Sequence, residues 1–287
     1  MRTTKIGSVP VSAIGLGGMP MSIEGRPDEA RSIRTIHAAL AAGVTLIDTA
    51  DAYHLNPGET GHNERLIAKA LASYGGDTSS VLVATKGGHT RPGDGRWLID
   101  GSPQHLRSAV DASLKALGVD AIGLYQLHRP DPEVPYAESV GVLKELLDAG
   151  KIRLAGISNA SIEQIEIARR LLGDGNLASV QNQFSPAFRT SEPELRHCAK
   201  HGIAFLPWAP LGGIGRAAQL GERHAAFQRI ADAHGVSAQQ VTLAWELAKA
   251  PVVIPIPGAS RPESILDSVA AVDLKLTTSE LDQLDRA

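Results

Sequence analysis

Thr45-Leu46-Ile47-Asp48-Thr49-Ala50-Asp51-Ala52-Tyr53 decides how the rest of the chain is read. Leu46 and Ile47 belong to a short, unalternated apolar run, the pattern of a parallel strand covered on both faces. Asp48 closes that run. A carboxylate at the end of a buried strand must be paired or ligating, because burying an isolated charge is costly. Tyr53 follows in what should be a loop. The same arrangement recurs twice: Lys86 ends the run Val81–Thr85, and His128 ends Leu124–Leu127.

Working outward, strands and helices alternate along the whole chain. Apolar runs predict eight strands, at Ala13–Gly17, Val44–Asp48, Val81–Thr85, Ala121–Leu127, Ile152–Ile157, Leu177–Gln181, Ile203–Trp208 and Val252–Ile256. Between them lie helix-period stripes, such as Ile33, Ile36, His37 and Leu40, or Leu106, Val110, Leu114 and Leu117. Capping boxes are expected at Ser161–Gln164, Ser191–Glu194, Ser237–Gln240 and Thr277–Glu280, and Ser102-Pro103 reads as an N-cap before a proline at the first helical position. Eight such units predict a (β/α)8 barrel, an α/β fold, in one domain spanning residues 1–287. Residues 1–10, turning at Gly7-Ser8, are expected as a hairpin closing the barrel bottom. Two extra helices are expected, at Arg223–His234 and Ser279–Arg286.

Composition narrows the class of protein. With 43% apolar and 21% charged residues the chain is ordinarily globular. Its formal charge of −3 points to neither nucleic acid nor an anionic membrane as a partner. One cysteine, Cys198, rules out an intramolecular disulfide framework and suits a reducing compartment. No apolar run is long enough to span a membrane, and the first residues do not read as a signal peptide. A cytoplasmic protein, monomeric for want of a self-complementary patch, is expected.

In a barrel the strand C-termini and the loops after them build the active site, so Asp48, Tyr53, Lys86 and His128 should converge on one rim. Their types suit proton transfer. A lysine beside a phenol favours the phenolate and is expected to lower the tyrosine pKa; a carboxylate holds the lysine, and an imidazole polarises a carbonyl. Each residue alone has a plainer reading, as a structural ion pair, a loop aromatic or a strand-end histidine. The convergence of all four in register favours catalysis.

Asp-Thr-Ala-x-x-Tyr at 48–53, Thr-Lys-Gly at 85–87 and Leu-His-Arg-Pro-Asp at 127–131 resemble the signature regions of the aldo-keto reductases. Gly156–Asn159, Val180–Asn182 and Ile256–Ser260 extend the likeness over almost the whole chain. The resemblance implies carbonyl reduction by direct hydride transfer from NADPH, with NADH the lesser alternative. Tyr53 would be the general acid, tuned by Lys86, with Asp48 holding the lysine and His128 orienting the carbonyl of an aldehyde or ketone substrate.

Neither Gly15-Leu16-Gly17-Gly18 nor Gly213-Ile214-Gly215 completes a dinucleotide-binding glycine fingerprint. The resemblance instead implies a cofactor laid across the rim. Gly18 and Met19 would line the nicotinamide end beside Asp48; Ser158, Asn159 and Gln181 would bind its carboxamide, and Trp208 would stack on the ring. Leu211, Gly212 and Gly213 would cover the pyrophosphate. The stretch carrying Gly258, Ser260, Arg261, Ser264, Asp267 and Ser268 would hold the adenosine and its 2′-phosphate, although Ser264, Asp267 and Ser268 depart from frequent family residues.

Met19, Met21, His54, Trp97, Trp208 and Arg129 are expected around the substrate, with His89–Gly101 long enough to form a lid. His197 and His201 sit at i, i+4 beside Cys198, but no third ligand stands nearby in sequence, and no metal is expected. His224 and His234 read as surface. Two other functions stay open: a Schiff-base lyase using Lys86, and a cofactor-sensing subunit with slow turnover.

Overall fold

The computed structural model describes residues 1–173 and 175–287. A hairpin opens the chain, β1 (Thr3–Ile6) pairing antiparallel with β2 (Val9–Ser12) through the expected turn. Then follow β3 (Leu16–Gly17), α1 (Glu29–Ala41), β4 (Leu46–Asp48), α2 (His62–Ser73) and β5 (Leu82–Gly87). A short excursion, β6 (His89–Thr90) and β7 (Leu98–Ile99), precedes α3 (Pro103–Leu117), β8 (Ile122–Leu127), α4 (Tyr136–Asp148), β9 (Ile152–Ser158), α5 (Ile162–Leu172) and β10 (Leu177–Gln181). The chain ends with α6 (Glu192–His201), β11 (Ala204–Phe205), α7 (Leu220–Arg223), α8 (Ala225–His234), α9 (Ala238–Lys249), α10 (Pro262–Ala270) and α11 (Thr278–Arg286).

The sheet runs β3-β4-β5-β8-β9-β10-β11, all parallel. The eighth expected strand closes the barrel without forming a regular ladder. Ile254 and Ile256 donate their N–H groups to the carbonyls of Phe205 and Pro207, and the carbonyls of Pro255 and Pro257 accept from Gly15 and Gly17. Pro255 and Pro257 carry no N–H, so the seam toward β3 lacks the donors a ladder needs. Pro207 shortens β11 for the same reason. The eight-stranded barrel is thus a seven-stranded curled sheet sealed by an irregular eighth segment.

Two layers of apolar packing hold this shape. Inside, Leu46, Leu82, Ala84, Leu124, Ala178, Leu206, Ile254 and Ile256 meet one another, and Ile6 and Val11 of the hairpin plug them from below. Outside, the stripes read from the sequence pack on the sheet; Leu106, Val110 and Leu117 of α3 join the largest core cluster, and Ile36 of α1 joins another. Truncating a fully buried leucine such as Leu124 to alanine costs about 2–5 kcal/mol in such layers.

Local signals mostly hold. The Ser161–Gln164 and Thr277–Glu280 capping boxes form, and Ser102 caps α3. Ser237 caps α9, while its Gln240 reaches Asp267 rather than back to the cap. Ser191 makes no cap bond: its ψ of 12° is far from the extended backbone that aims an N-cap hydroxyl at the first turn. Both extra helices form, as α7–α8 and α11. No helix among the described residues is long and apolar enough to cross a membrane.

Candidate active site

The register places the central residues. Asp48 lies opposite Ala84 on β5, and Lys86 lies two residues further, hence on the same face as Ala84. Lys86 is fully buried, and its ammonium donates to Asp48 Oδ1 at 2.6 Å, to the Thr49 carbonyl at 2.8 Å and to the Tyr53 hydroxyl at 3.2 Å. All three of its protons have acceptors. Gln181, at the end of β10, donates from Nε2 to the other Asp48 oxygen at 2.7 Å. The His128 ring stands 5.8 Å from that of Tyr53 and nearly perpendicular to it, so all four expected residues meet at one mouth.

Electrostatics there correct one expectation. Burial would lower the pKa of Lys86, but Asp48 and then Tyr53 outweigh it, and the ammonium is stabilised. Tyr53 moves the other way from the sequence reading. Burial raises its pKa by more than Lys86 lowers it, so the phenol stays protonated at neutral pH. Burial first, then Lys86, His89 and Arg129, hold the His128 imidazole well below its ordinary value, so it is neutral, and its Nδ1 lacks a hydrogen-bond partner among the described residues.

Asn159 ties the rim together. Its backbone is left-handed, with φ 57°, a conformation asparagine tolerates better than most residues. Nδ2 donates to the His128 carbonyl at 3.0 Å and Oδ1 accepts from the Trp208 indole at 3.1 Å, while Ser158 Oγ donates to the Gln181 carbonyl at 2.6 Å. Gly18 is packed so closely that a Cβ would lie 2.4 Å from Asn63 Oδ1, and the neighbouring Met19, half-buried, packs against the cluster of Ile23, Ala50 and Tyr53.

The loop after Trp208 lines a cavity of about 340 Å³ with Leu211, Gly212, Arg216, Arg223 and His224. Gly212 and Gly213 there have φ of 87° and 98°, open to glycine without strain. Arg216, Arg223 and His224 were not read as site residues; the signal available was a basic pair following a glycine-rich turn. At the far end, Gly258 and Arg261 are exposed and Ser260 half-buried. Arg261 Nε donates to Ser264 Oγ at 2.8 Å, and no carboxylate pairs with its guanidinium among the described residues. Asp267 accepts from Ser237 and Gln240 of α9, and Ser268 donates back to the Ser264 carbonyl at 3.0 Å, so both side chains already bind the protein.

Over Tyr53 lies the excursion from β6 to β7. The Trp97 and Tyr53 rings meet edge to face at 6.2 Å, the Arg91 guanidinium stacks on Trp97 at 4.4 Å, and Arg91 bonds the His54 carbonyl and Glu24. His89 packs against His128 at 4.3 Å, another neighbour the sequence reading passed over. Trp97, Leu98 and Ile99 are exposed on this hairpin, an apolar edge not expected from sequence. Met21 is not at the mouth: it is buried against Leu16 and Ile36, because the turn after Gly18 folds it inward. His54 is buried, with Nδ1 at 3.0 Å from the Asn56 carbonyl.

The family model described as the aldo/keto reductase family matches residues 13–287, and the chain belongs to that family. An uncharacterized oxidoreductase of Schizosaccharomyces pombe is 34% identical over 287 residues, covering 99% of this chain and 89% of that protein. The 6-dehydroglucose reductase of Novosphingobium aromaticivorans is 34% identical over 277 residues, covering 93% and 88%. Among solved structures, an aldo-keto reductase of Klebsiella pneumoniae in complex with NADPH superposes with a TM-score of 0.81 at 28% identity, covering 99% of this chain and 94% of that one.

Proposed function

We propose that this oxidoreductase reduces an aldehyde or ketone to an alcohol with NADPH, and that Tyr53 delivers the proton. The observation that carries the reading is the buried ammonium of Lys86, fixed by Asp48 and lying 3.2 Å from the Tyr53 hydroxyl. The family and the NADPH complex of the Klebsiella relative support the cofactor. So does the donor set: Arg216 and Arg223 beside a glycine turn suit a pyrophosphate, and Arg261, with no carboxylate partner among the described residues, suits a 2′-phosphate.

NADPH, when bound, supplies the hydride that adds to the carbonyl carbon. This chain's residues manage the oxygen. Neutral His128 holds it by a hydrogen bond, and Tyr53 passes its hydroxyl proton to it as negative charge develops. The phenolate left behind is stabilised by Lys86, and Asp48 keeps the lysine in place. Burial of Tyr53 beneath Trp97 keeps bulk water from competing for that proton. A cytoplasmic, monomeric enzyme acting on a small carbonyl compound completes the reading.

The Schiff-base reading fits less well. A nucleophilic lysine must lose its proton, whereas Lys86 is saturated with acceptors and its pKa is raised. The test is quenching of tryptophan fluorescence by NADPH, followed by oxidation of NADPH with a panel of aldehydes, with borohydride trapping run alongside. Binding with turnover supports the proposal. Absence of NADPH binding, or trapping of substrate on Lys86, contradicts it.

A further inference from the structure

On the outer face of the barrel, α5 and α6 bring together a set of side chains with no part in the reaction. His197 and His201, one turn apart on α6, face the same way, with ring centroids 4.7 Å apart. Glu166 of α5 meets them: its Oε1 lies 2.6 Å from His197 Nε2 and 4.0 Å from His201 Nε2. The third ligand missing from the local sequence is therefore supplied by the neighbouring helix. Among the described residues these are the one trio whose donor atoms all lie within 4.8 Å of one another.

We propose that Glu166, His197 and His201 bind a divalent ion of the zinc class, clipping α5 to α6. The donor chemistry is that of a three-ligand zinc site, two imidazole nitrogens and a carboxylate oxygen, with water as the fourth ligand. An ion about 2.0–2.1 Å from each donor sets tetrahedral ligands about 3.3 Å apart. The two distances to Glu166, 2.6 and 4.0 Å, bracket that spacing, and all three donor atoms lie within 4.8 Å of one another. All three side chains are partly exposed, which leaves room for the ion and its water, and His201 also lines a cavity of about 80 Å³ together with Arg169 and Gly202.

Arg169 opposes the ion. Its guanidinium bonds the same Glu166 oxygen at 2.7 Å, both competing for the ligand and adding a like charge. The proposal therefore makes two predictions of opposite sign on neighbouring residues, which adventitious binding to scattered surface histidines does not.

The experiment is calorimetric titration of Zn²⁺ into the untagged full chain, stripped with a chelator that is then removed. One Zn²⁺ per chain is expected. His197→Gln and His201→Gln should each weaken binding by about tenfold or more, and Arg169→Gln should strengthen it. Circular dichroism of the metal-free variants checks that they fold, and Zn²⁺ should raise the melting temperature of the wild type but not of His201→Gln. No stoichiometric binding, or His201→Gln binding and melting like the wild type, overturns the proposal.

Discussion

Gln181 and Asp48 meet across the mouth of the barrel, the amide of one donating to the second carboxylate oxygen of the other at 2.7 Å. They are 133 residues apart on strands separated by three others, and Lys86 holds the first oxygen. Both oxygens of this buried carboxylate are thereby satisfied from opposite walls. Gln181 supports the Asp48–Lys86 charge pair, and its Oε1 has no protein partner among the described residues, which leaves it for the carboxamide contact implied by the family likeness.

Gln181→Met keeps the length of the side chain and removes the donor. Leaving one buried carboxylate oxygen unpaired should cost about 1–3 kcal/mol, read as a lowered midpoint in urea unfolding. Turnover should fall as the Asp48–Lys86 geometry loosens. An unchanged midpoint would show that the bond contributes nothing.

Trp97 covers Tyr53 from the β6–β7 hairpin and is itself held by Arg91. Trp97→Ala should raise KM for an aldehyde by about tenfold or more, because it removes apolar contact area, and should lower kcat by a smaller factor, because it opens Tyr53 to water. Loss of kcat with KM unchanged would place the tryptophan in the chemistry instead.

The pH profile follows from two shifts. Tyr53 has its pKa raised by burial, and His128 has its lowered well below the usual value by burial and Lys86. Neither changes protonation near neutrality. For carbonyl reduction, kcat/KM, which reports the free enzyme, should be level from about pH 6.5 to 9. A bell centred near pH 7 would contradict both assignments.

Glu246 of α9 is fully buried, and neither carboxyl oxygen has a partner among the described residues. Burial raises its pKa well above the ordinary value. A raised folded value means that stability is full below the unfolded pKa of about 4.3 and is lost as pH rises toward the folded one. Glu246→Met should therefore be more stable than the wild type, with a lead that widens from about pH 4.3 upward at about 1.4 kcal/mol per pH unit. Melting curves at several pH values test this; a lead that shrinks as pH rises contradicts it.

The convergence of Asp48, Tyr53, Lys86 and His128 was legible because each ends a strand or lies in the loop after one, and parallel strands deliver such ends to one rim. Helix stripes and most caps were legible because they are local. The seam at Pro255 and Pro257 was harder, since the apolar run looks like a strand while its prolines deny it a ladder. Contacts between distant elements were not legible at all. Glu166 reaches His197 from another helix, Gln181 reaches Asp48 across the barrel, and Met21 turns into the core through the geometry of one turn. The sign of the Tyr53 shift belongs with these, because it depends on how much burial outweighs one nearby charge.

The most direct test of the mechanism compares Tyr53→Phe with the wild type in the same two assays, NADPH binding by fluorescence and NADPH oxidation with an aldehyde that the wild type turns over. Removal of the hydroxyl leaves Lys86 with Asp48 and Thr49, so the fold and cofactor site should persist. The account predicts unchanged NADPH affinity and a loss of kcat of about 10²–10⁴-fold. Turnover at the wild-type rate would contradict it, and another residue would have to supply the proton.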